Sequence, residues 1–432
     1  MTEPLHPDLL YSEVEDELRA SVRALLRDRA DLRRLEGPEP VDLKLWRTLA
    51  AELGCAGLPV PEASGGAGAS WRETAVVMEE LGRSVAPVPF LGSAVLATAA
   101  LPAGDPLLAE LAAGTRTAAL AVPLSAAGGQ RWTVAVRDGG LHGEVTSVAD
   151  ALAADVLLVP TAEGLFAIDT NWHNRNVGNI GHGAADISGQ SAAPIQEGPA
   201  PIQGSPAPTE EDPARSQEGP ARSQEDPAEI AAEAGGSTVE IAAEAGGGAV
   251  EIAAVTSFDL SRPLADIALR GAAGRLVAGD AGAAVARALT AGAAMLASEQ
   301  LGIAEWCLAT TVEYAKTRRQ FARQIGSYQA IKHRLADLWV AVTEARAVAR
   351  YAADCLATGD PDLPVAASLA QAFCSPVAVK AAEECVQLHG GIGFTWEHPA
   401  HWYLKRARAD ATALGSAARH RALLAELVHL PG

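Results

Sequence analysis

The chain has 432 residues, 49% hydrophobic and 20% charged, enough apolar mass for a large core and more than one domain. A formal charge of -19 argues against an extended nucleic-acid or anionic-membrane surface, because those partners are held through Lys and Arg contacts to phosphate. Cysteines at 55, 307, 355, 374 and 385 form no CxxC pair, so neither a disulfide framework nor a zinc site is expected and reduced cytosol fits best.

Met1-Thr-Glu-Pro-Leu-His-Pro7 has neither the basic nor the apolar region of a secretion signal, and no uninterrupted apolar stretch of membrane-spanning length is expected. From Ser12 to Gly114 the chain reads mainly as helices. Val14, Leu18, Val22, Leu25 and Leu26 recur at helical spacing behind Ser12, a suitable N-cap, and acids crowd the opening turns where the helix dipole favours them. Helix-like runs then alternate with the breaks Gly57-Leu-Pro-Val-Pro61 and Gly65-Gly-Ala-Gly68.

Past Thr117 the period shortens. Ala118 to Val122, Thr133 to Val136, Val156 to Val159 and Leu165 to Ile168 are short runs bounded by Gly, Pro or Asp, as strands are. Strand character resumes at Val255-Thr-Ser-Phe-Asp-Leu260, and Leu264 to Arg270 reads as the last strand. Between them residues 171–251 differ in composition and hold adjacent near-copies, Asp212–Glu218 beside Gly219–Glu225 and Glu229–Val239 beside Glu240–Val250. Rich in Pro, Gly, Ala and Glu, this insert is expected to be a disordered acidic surface loop, since it lacks the apolar surface to offset its ordering entropy.

After Asp280 the pattern is helical almost to the end. Ile331, Leu335, Leu338, Trp339 and Val342 fall together with Lys332, Arg334 and Asp337 off their face, the pattern of a bundle helix. Two segments carry the chemistry: Tyr314-Ala-Lys-Thr-Arg-Arg-Gln-Phe321 and Gln387-Leu-His-Gly-Gly-Ile-Gly-Phe394. One supplies cations and the other paired glycines with approachable backbone N–H groups, the two features a pyrophosphate requires. His389, His398 and His401 lack a carboxylate or cysteine partner in a ligand pattern, so no metal is expected.

With their flanks, Ile325 to Asp337 and Thr395-Trp-Glu-His-Pro399, these segments resemble the C-terminal domain of the acyl-CoA dehydrogenase flavoprotein family. The resemblance implies an α+β fold in three parts: an N-terminal helical domain (1–116), a central β domain with the insert (117–276) and a C-terminal four-helix bundle (277–432). It implies FAD gripped at a subunit boundary, with Arg318 on the pyrophosphate, Gln320 beside it, Phe321 near the adenosine and Gln329 near the adenine. Gln387, Gly390 and Gly391 would approach the pyrophosphate and ribose. An acyl-CoA substrate, α,β-dehydrogenation, an electron-transfer flavoprotein as acceptor, and assembly as a homo-oligomer or with a related subunit follow from the same resemblance.

Two departures from the family pattern stand out. Leu414-Gly-Ser416 replaces the usual Glu-Gly-Thr, so the position of the catalytic base holds a leucine, and the family's other base position maps near Gly292 and Ala293. Asp410 and Glu299 are the nearest carboxylates in sequence, and a salt bridge or helix-surface place suits each better. The acidic stretch the family places by the flavin ring is here Ala121-Val-Pro-Leu-Ser-Ala-Ala-Gly-Gly-Gln130, which leaves Ser125 and Thr133 either as ring-side donors or in an equally suitable strand-end role. Two functions therefore stand: an acyl-CoA dehydrogenase, or a non-catalytic partner subunit that lends the ADP-side clamp to a flavin whose base belongs to another chain.

Overall fold

The computed structural model describes residues 9–37, 41–129, 131–170, 240–245 and 248–430. The insert repeats that precede residue 240 lie outside the described residues.

The N-terminal part holds α1 (Glu13–Arg29), α2 (Leu43–Arg47), α3 (Trp71–Ser84), the apolar helix α4 (Phe90–Ala100) and α5 (Pro106–Ala112). Ser12 caps α1 as its sequence suggests: Glu15 N donates to Ser12 Oγ at 3.2 Å and Ser12 N donates to Glu15 Oε2 at 2.7 Å, a reciprocal box that satisfies two end donors. Val22 and Leu26 enter the core, whereas Val14 is 66% exposed, because the stripe begins one turn beyond the helix start. Glu15 is itself buried and paired with Arg350 at 2.8 Å and Arg72 at 3.1 Å, which ties α1 to the C-terminal bundle.

Two sheets follow. The first orders β1 (Ala118–Leu120), β4 (Val156–Pro160), β5 (Leu165–Asp169) and β9 (Arg275–Ala278), with β1 parallel to β4 and the other pairs antiparallel. The second, antiparallel throughout, orders β2 (Val134–Arg137), β3 (Gly140–Ala149), β8 (Leu264–Ala272), β7 (Gly248–Val255) and β6 (Glu240–Ala245). The strand period of two distributes β4 between two cores: Val156 and Leu158 face the helices, while Leu157 and Val159 join Leu141, Val145, Ile252 and Ile267 between the sheets.

Three expectations are corrected here. The second copy of the Glu-Ile-Ala-Ala-Glu-Ala repeat is β6 and the start of β7, paired from Glu240 opposite Ala253 onward, so order begins before the expected end of the insert at 251. An unpaired edge on β7 was available, and the ladder satisfies a backbone that composition alone would leave in water. Residues 256–260 are not strand, since Asp259 turns inward to a buried ion network described below. Nor is β8 the last strand, because β9 follows it.

The bundle comprises α6 (Ala281–Thr317), α7 (Gln329–Thr358), α8 (Leu363–His389) and α10 (Ala417–Leu427), with α9 (Ala400–Asp410) beside them. Against expectation, α6 and the helical run 363–394 are long and apolar enough to cross a membrane by length and composition, but 72% and 61% of their apolar windows are buried inside the fold. Their apolarity is spent on the bundle core. On α7, Leu338 and Val342 are buried, yet Trp339 is 61% exposed with Val340 beside it, so the apolar face is wider than the core it packs on. Helices α3 and α6 cross at glycines: a Cβ on Gly302 would lie 1.9 Å from Glu79 O, and one on Gly82 would lie 2.0 Å from Glu299 O. This close approach fixes the depth of α6 and hence of Gly292 and Glu299 along it.

Candidate functional site

The two sequence segments meet at the end of the bundle. Arg318 is the C-cap of α6, and its N–H donates to Tyr314 O at 2.8 Å. Tyr314 stacks on His389 with ring centroids 4.3 Å apart and donates to His389 O at 3.4 Å, so the last turn of α6 is docked on the residue preceding Gly390. Beyond Arg318, β10 (Arg319–Gln320) and β11 (Arg323–Gln324) form a hairpin whose two turn residues, Phe321 and Ala322, have φ of 48° and 62°. Such a two-residue turn normally takes Asn or Gly, and non-glycine residues held there mark a shape retained at a local cost. It lifts Phe321 into solvent at 89% exposure. Tyr328 Oη donates to Gln320 O at 3.3 Å and immediately precedes Gln329, the first residue of α7.

Arg318, Gln320, Phe321, Gln329, Gln387, Gly390 and Gly391 are all exposed. Among the described residues Arg318 has no carboxylate partner. Gly390 has a φ of 63°, and a Cβ at either Gly390 or Gly391 would meet no atom within 4 Å, so their backbone is open to a ligand. Burial opposes a charge on His389, but its contacts with Cys385 prevail and its pKa is raised. A free guanidinium, an amide side chain and unobstructed backbone on joined loops fit a diphosphate. The His398 ring lies tilted against His389 with centroids 4.2 Å apart, and His401 packs against Trp396 and Trp402.

The second feature is an apolar cavity of about 470 Å³ between α6, α8, α10 and the loop after β1. The positions that the resemblance assigns to a base, near Gly292 and Ala293 and at Leu414, converge on it. Ala293 and Leu414 line the cavity, and a Cβ on Gly292 would lie 2.8 Å from Leu414 Cδ1. Leu414 has φ 54°, is 2% exposed, and donates its N–H to Leu124 O at 2.7 Å, which seats the turn directly on the stretch expected beside a flavin ring. Ala127 and Gly128 of that stretch also line the cavity. Ser125 is exposed, and the Thr133 hydroxyl is engaged by Glu144 O. Glu426, an exposed residue in the last turn of α10, is the sole carboxylate among the described lining residues.

Asp410 and Glu299 lie elsewhere, in a buried ion network and not in the cavity wall. Arg262 donates to Asp410 Oδ1 at 2.6 Å and to Glu299 Oε2 at 2.7 Å; Arg406 donates to Glu299 Oε1 at 2.6 Å, to Asp259 Oδ2 at 3.3 Å and to Ser261 Oγ at 2.8 Å. Burial favours protonation of Glu299, but the two guanidinium groups outweigh it and hold its pKa near the bottom of the carboxylate range, at about 2. Burial, then the Glu299 charge, push Asp410 well above the usual range. Arg262 and Arg406 serve Glu299, Asp410 and Asp259, and Asp150 feels the same two charges, so carboxyl groups outnumber cations in this buried network and burial raises both Asp410 and Asp150.

A helical layer, two β sheets and a helical bundle make up the architecture, which is that of the acyl-CoA dehydrogenase fold. The acyl-CoA dehydrogenase C-terminal domain matches residues 280–429 and the N-terminal domain residues 12–106. Acyl-CoA dehydrogenase IpdE2 of Mycobacterium tuberculosis is 32% identical over 378 residues, 87% of this chain and 83% of that protein. The chain belongs to the acyl-CoA dehydrogenase family. Among solved structures, a variant of the Tcur3481-Tcur3483 steroid ACAD is 25% identical with a TM-score of 0.70, covering 96% of this chain and 98% of that one. The ChsE4-ChsE5 complex from Mycobacterium tuberculosis, 24% identical with a TM-score of 0.71 over 98% of this chain and 100% of that one, shares the fold.

Sequence reading missed Arg262, Arg406 and Asp259, which are far apart along the chain and carry no spacing signal. It also missed His420, a lone histidine on α10 whose place in the cavity wall only the packing of the bundle defines.

Proposed function

We propose that this chain works as a subunit of a hetero-oligomeric acyl-CoA dehydrogenase, lending the Arg318, Gln387, Gly390 and Gly391 clamp to an FAD whose catalytic base comes from a related chain. One observation carries the reading: both base positions of the family meet at one cavity, and they hold Gly292, Ala293 and Leu414, none of which accepts a proton. A general base contributes about 10² to 10⁴ in rate, so a centre without one would be a poor dehydrogenase. The exposed clamp supports the complementary half of the proposal. Two of the solved structures similar to this chain are named as pairs of chains, in keeping with a paired assembly.

In this reading Arg318 holds the diphosphate by charge-assisted hydrogen bonds, the Gly390 and Gly391 backbone closes over it, and Phe321 covers the adenosine. The bound flavin supplies the hydride acceptor. The complete assembly oxidises an acyl-CoA thioester and passes electrons to an electron-transfer flavoprotein. The exposed Phe321, Trp339, Phe394 and Trp396 supply apolar surface for association.

The test is co-expression with a related chain carrying glutamate at the position of Leu414. The lone protein is expected to purify colourless and the pair yellow and active on acyl-CoA. A yellow lone protein that bleaches with acyl-CoA contradicts the proposal and favours the self-sufficient enzyme.

A further inference from the structure

His389, the buried last residue of α8, touches two other rings at the root of the glycine loop. Tyr314 stacks on it with centroids 4.3 Å apart, and half-buried His398 lies tilted against it at 4.2 Å. His389 Nδ1 is 2.6 Å from Cys385 O; a carbonyl only accepts, so Nδ1 carries a proton and a further one must enter at Nε2. His398 is the opposite case. Its Nδ1 accepts from Ala400 N at 3.2 Å, an end donor at the first residue of α9, so that nitrogen is bare and the ring neutral. Contact between the two imidazoles closes residues 390–397 into a loop whose first members are Gly390 and Gly391.

Burial opposes a charge on both rings. On His389 the Cys385 contacts outweigh it, whereas on His398 the His389 charge adds to it and the pKa is lowered. The first proton therefore enters His389. A second, on His398, would set like charges in rings 4.2 Å apart and remove the acceptor of Ala400 N. The other titratable groups facing the pair are Cys385 with Cys307 behind it on α6, Tyr314, and His401, which has Lys405 and Glu36 near it. Among the described residues no carboxylate hydrogen-bonds either imidazole. We propose that His389 and His398 are positioning residues of the clamp: their contact keeps the Gly390 and Gly391 backbone set against the end of α6 that carries Arg318, and a second proton, taken up by His398, releases it. That the ligand so governed is a flavin diphosphate rests on the proposed function; the response of the loop to protons does not. The set loop holds His398 below its ordinary value of about 6.5 and the released loop returns it there, so falling pH beneath that value favours release.

The experiment has two arms. In the full chain without flavin, Trp396, which lies inside the closed loop, is read as its 5-fluorotryptophan signal by fluorine NMR, assigned through Trp396→Phe. A transition is expected below about pH 6.5, with its midpoint raised in His389→Gln, where the opposing charge is gone, and no transition in His398→Asn. Absence of the transition, a midpoint unmoved in His389→Gln, or a transition that persists in His398→Asn and so belongs to His401 overturns the proposal. In the co-purified complex, flavin affinity should fall about tenfold from about pH 7.5 to about pH 5.5, the order of one lost hydrogen bond. His398→Asn, whose amide oxygen still accepts from Ala400 N and does not titrate, should keep the affinity at the higher pH and lose the fall. A fall that persists in that variant, or affinity independent of pH in the unaltered complex, overturns the positioning role and leaves the lent flavin in place. Should no flavin bind at either pH, the proposed function fails and the first arm alone decides the release of the loop.

Discussion

Replacing Arg406 by methionine should be among the most damaging single changes outside the clamp. Its guanidinium is 3% exposed and meets Glu299 at 2.6 Å, Ser261 at 2.8 Å and Asp259 at 3.3 Å. Glu299 keeps Arg262 at 2.7 Å, but Asp259 retains only the donors of Ser261 and becomes a buried charge with no cation. Removing one partner of a buried pair costs about 3–5 kcal/mol, chiefly through the charge left behind. At about 2 °C per kcal/mol for a large domain, Arg406→Met should lower Tm by on the order of 5–10 °C in scanning calorimetry. Adding Asp259→Asn removes the stranded charge and should restore roughly half of the loss. A fall of under about 1 °C for the single variant, or a double variant no better than the single, would refute the reasoning.

Three further outcomes follow from the same geometry. Asp410→Asn should cost less than Glu299→Gln at pH 7, read as Tm, because burial and the Glu299 charge already oppose ionisation of Asp410 and an amide of like shape replaces its carboxyl. Since the Asp410 pKa is raised on folding, its contribution to stability is fully present below the unfolded carboxylate range and is lost as pH rises through the folded value; Asp410→Asn should remove that decline in a Tm-against-pH series. Glu299 runs the other way, with a folded pKa of about 2: its contribution is present above the unfolded value and lost as pH falls toward 2, so Glu299→Gln should flatten the acid limb. Gly302→Ala would set a Cβ 1.9 Å from the Glu79 carbonyl, and forcing α3 and α6 apart should cost about 3 kcal/mol or more, read as a lowered Tm; an unchanged Tm would contradict the crossing.

Local chemistry made the sequence legible where a short segment decides its own structure. Ser12 and Glu15 cap a helix whatever it packs on, and the short apolar runs at Val156 and Leu165 are bounded by Gly, Pro or Asp as strands are. The helix ends at Arg318 and at the Gly390 pair were legible for the same reason, since each is set by its own flank. Illegible were features that depend on which residues are brought together. Nothing in Phe258-Asp-Leu-Ser-Arg262 shows that Asp259 and Arg262 turn inward to meet Arg406, Glu299 and Asp410, and so the strand expected there stops at Val255. The insert copy at Glu240 forms β6 against the β7 edge, a pairing that its composition does not announce. Trp339 belongs by period to the buried face of α7 and is nonetheless exposed, because that apolar face is wider than the core that Leu338 and Val342 enter.

The account rests on Arg318 and the open glycine backbone holding a flavin diphosphate inside a paired assembly. The most direct measurement is flavin affinity of the co-purified complex with and without Arg318→Ala in this chain, read by the absorbance of bound flavin after dilution. Loss of a charge-assisted contact worth about 1.5–3 kcal/mol should weaken binding on the order of 10- to 100-fold while the subunits stay together. Unchanged flavin affinity in an intact complex would contradict it.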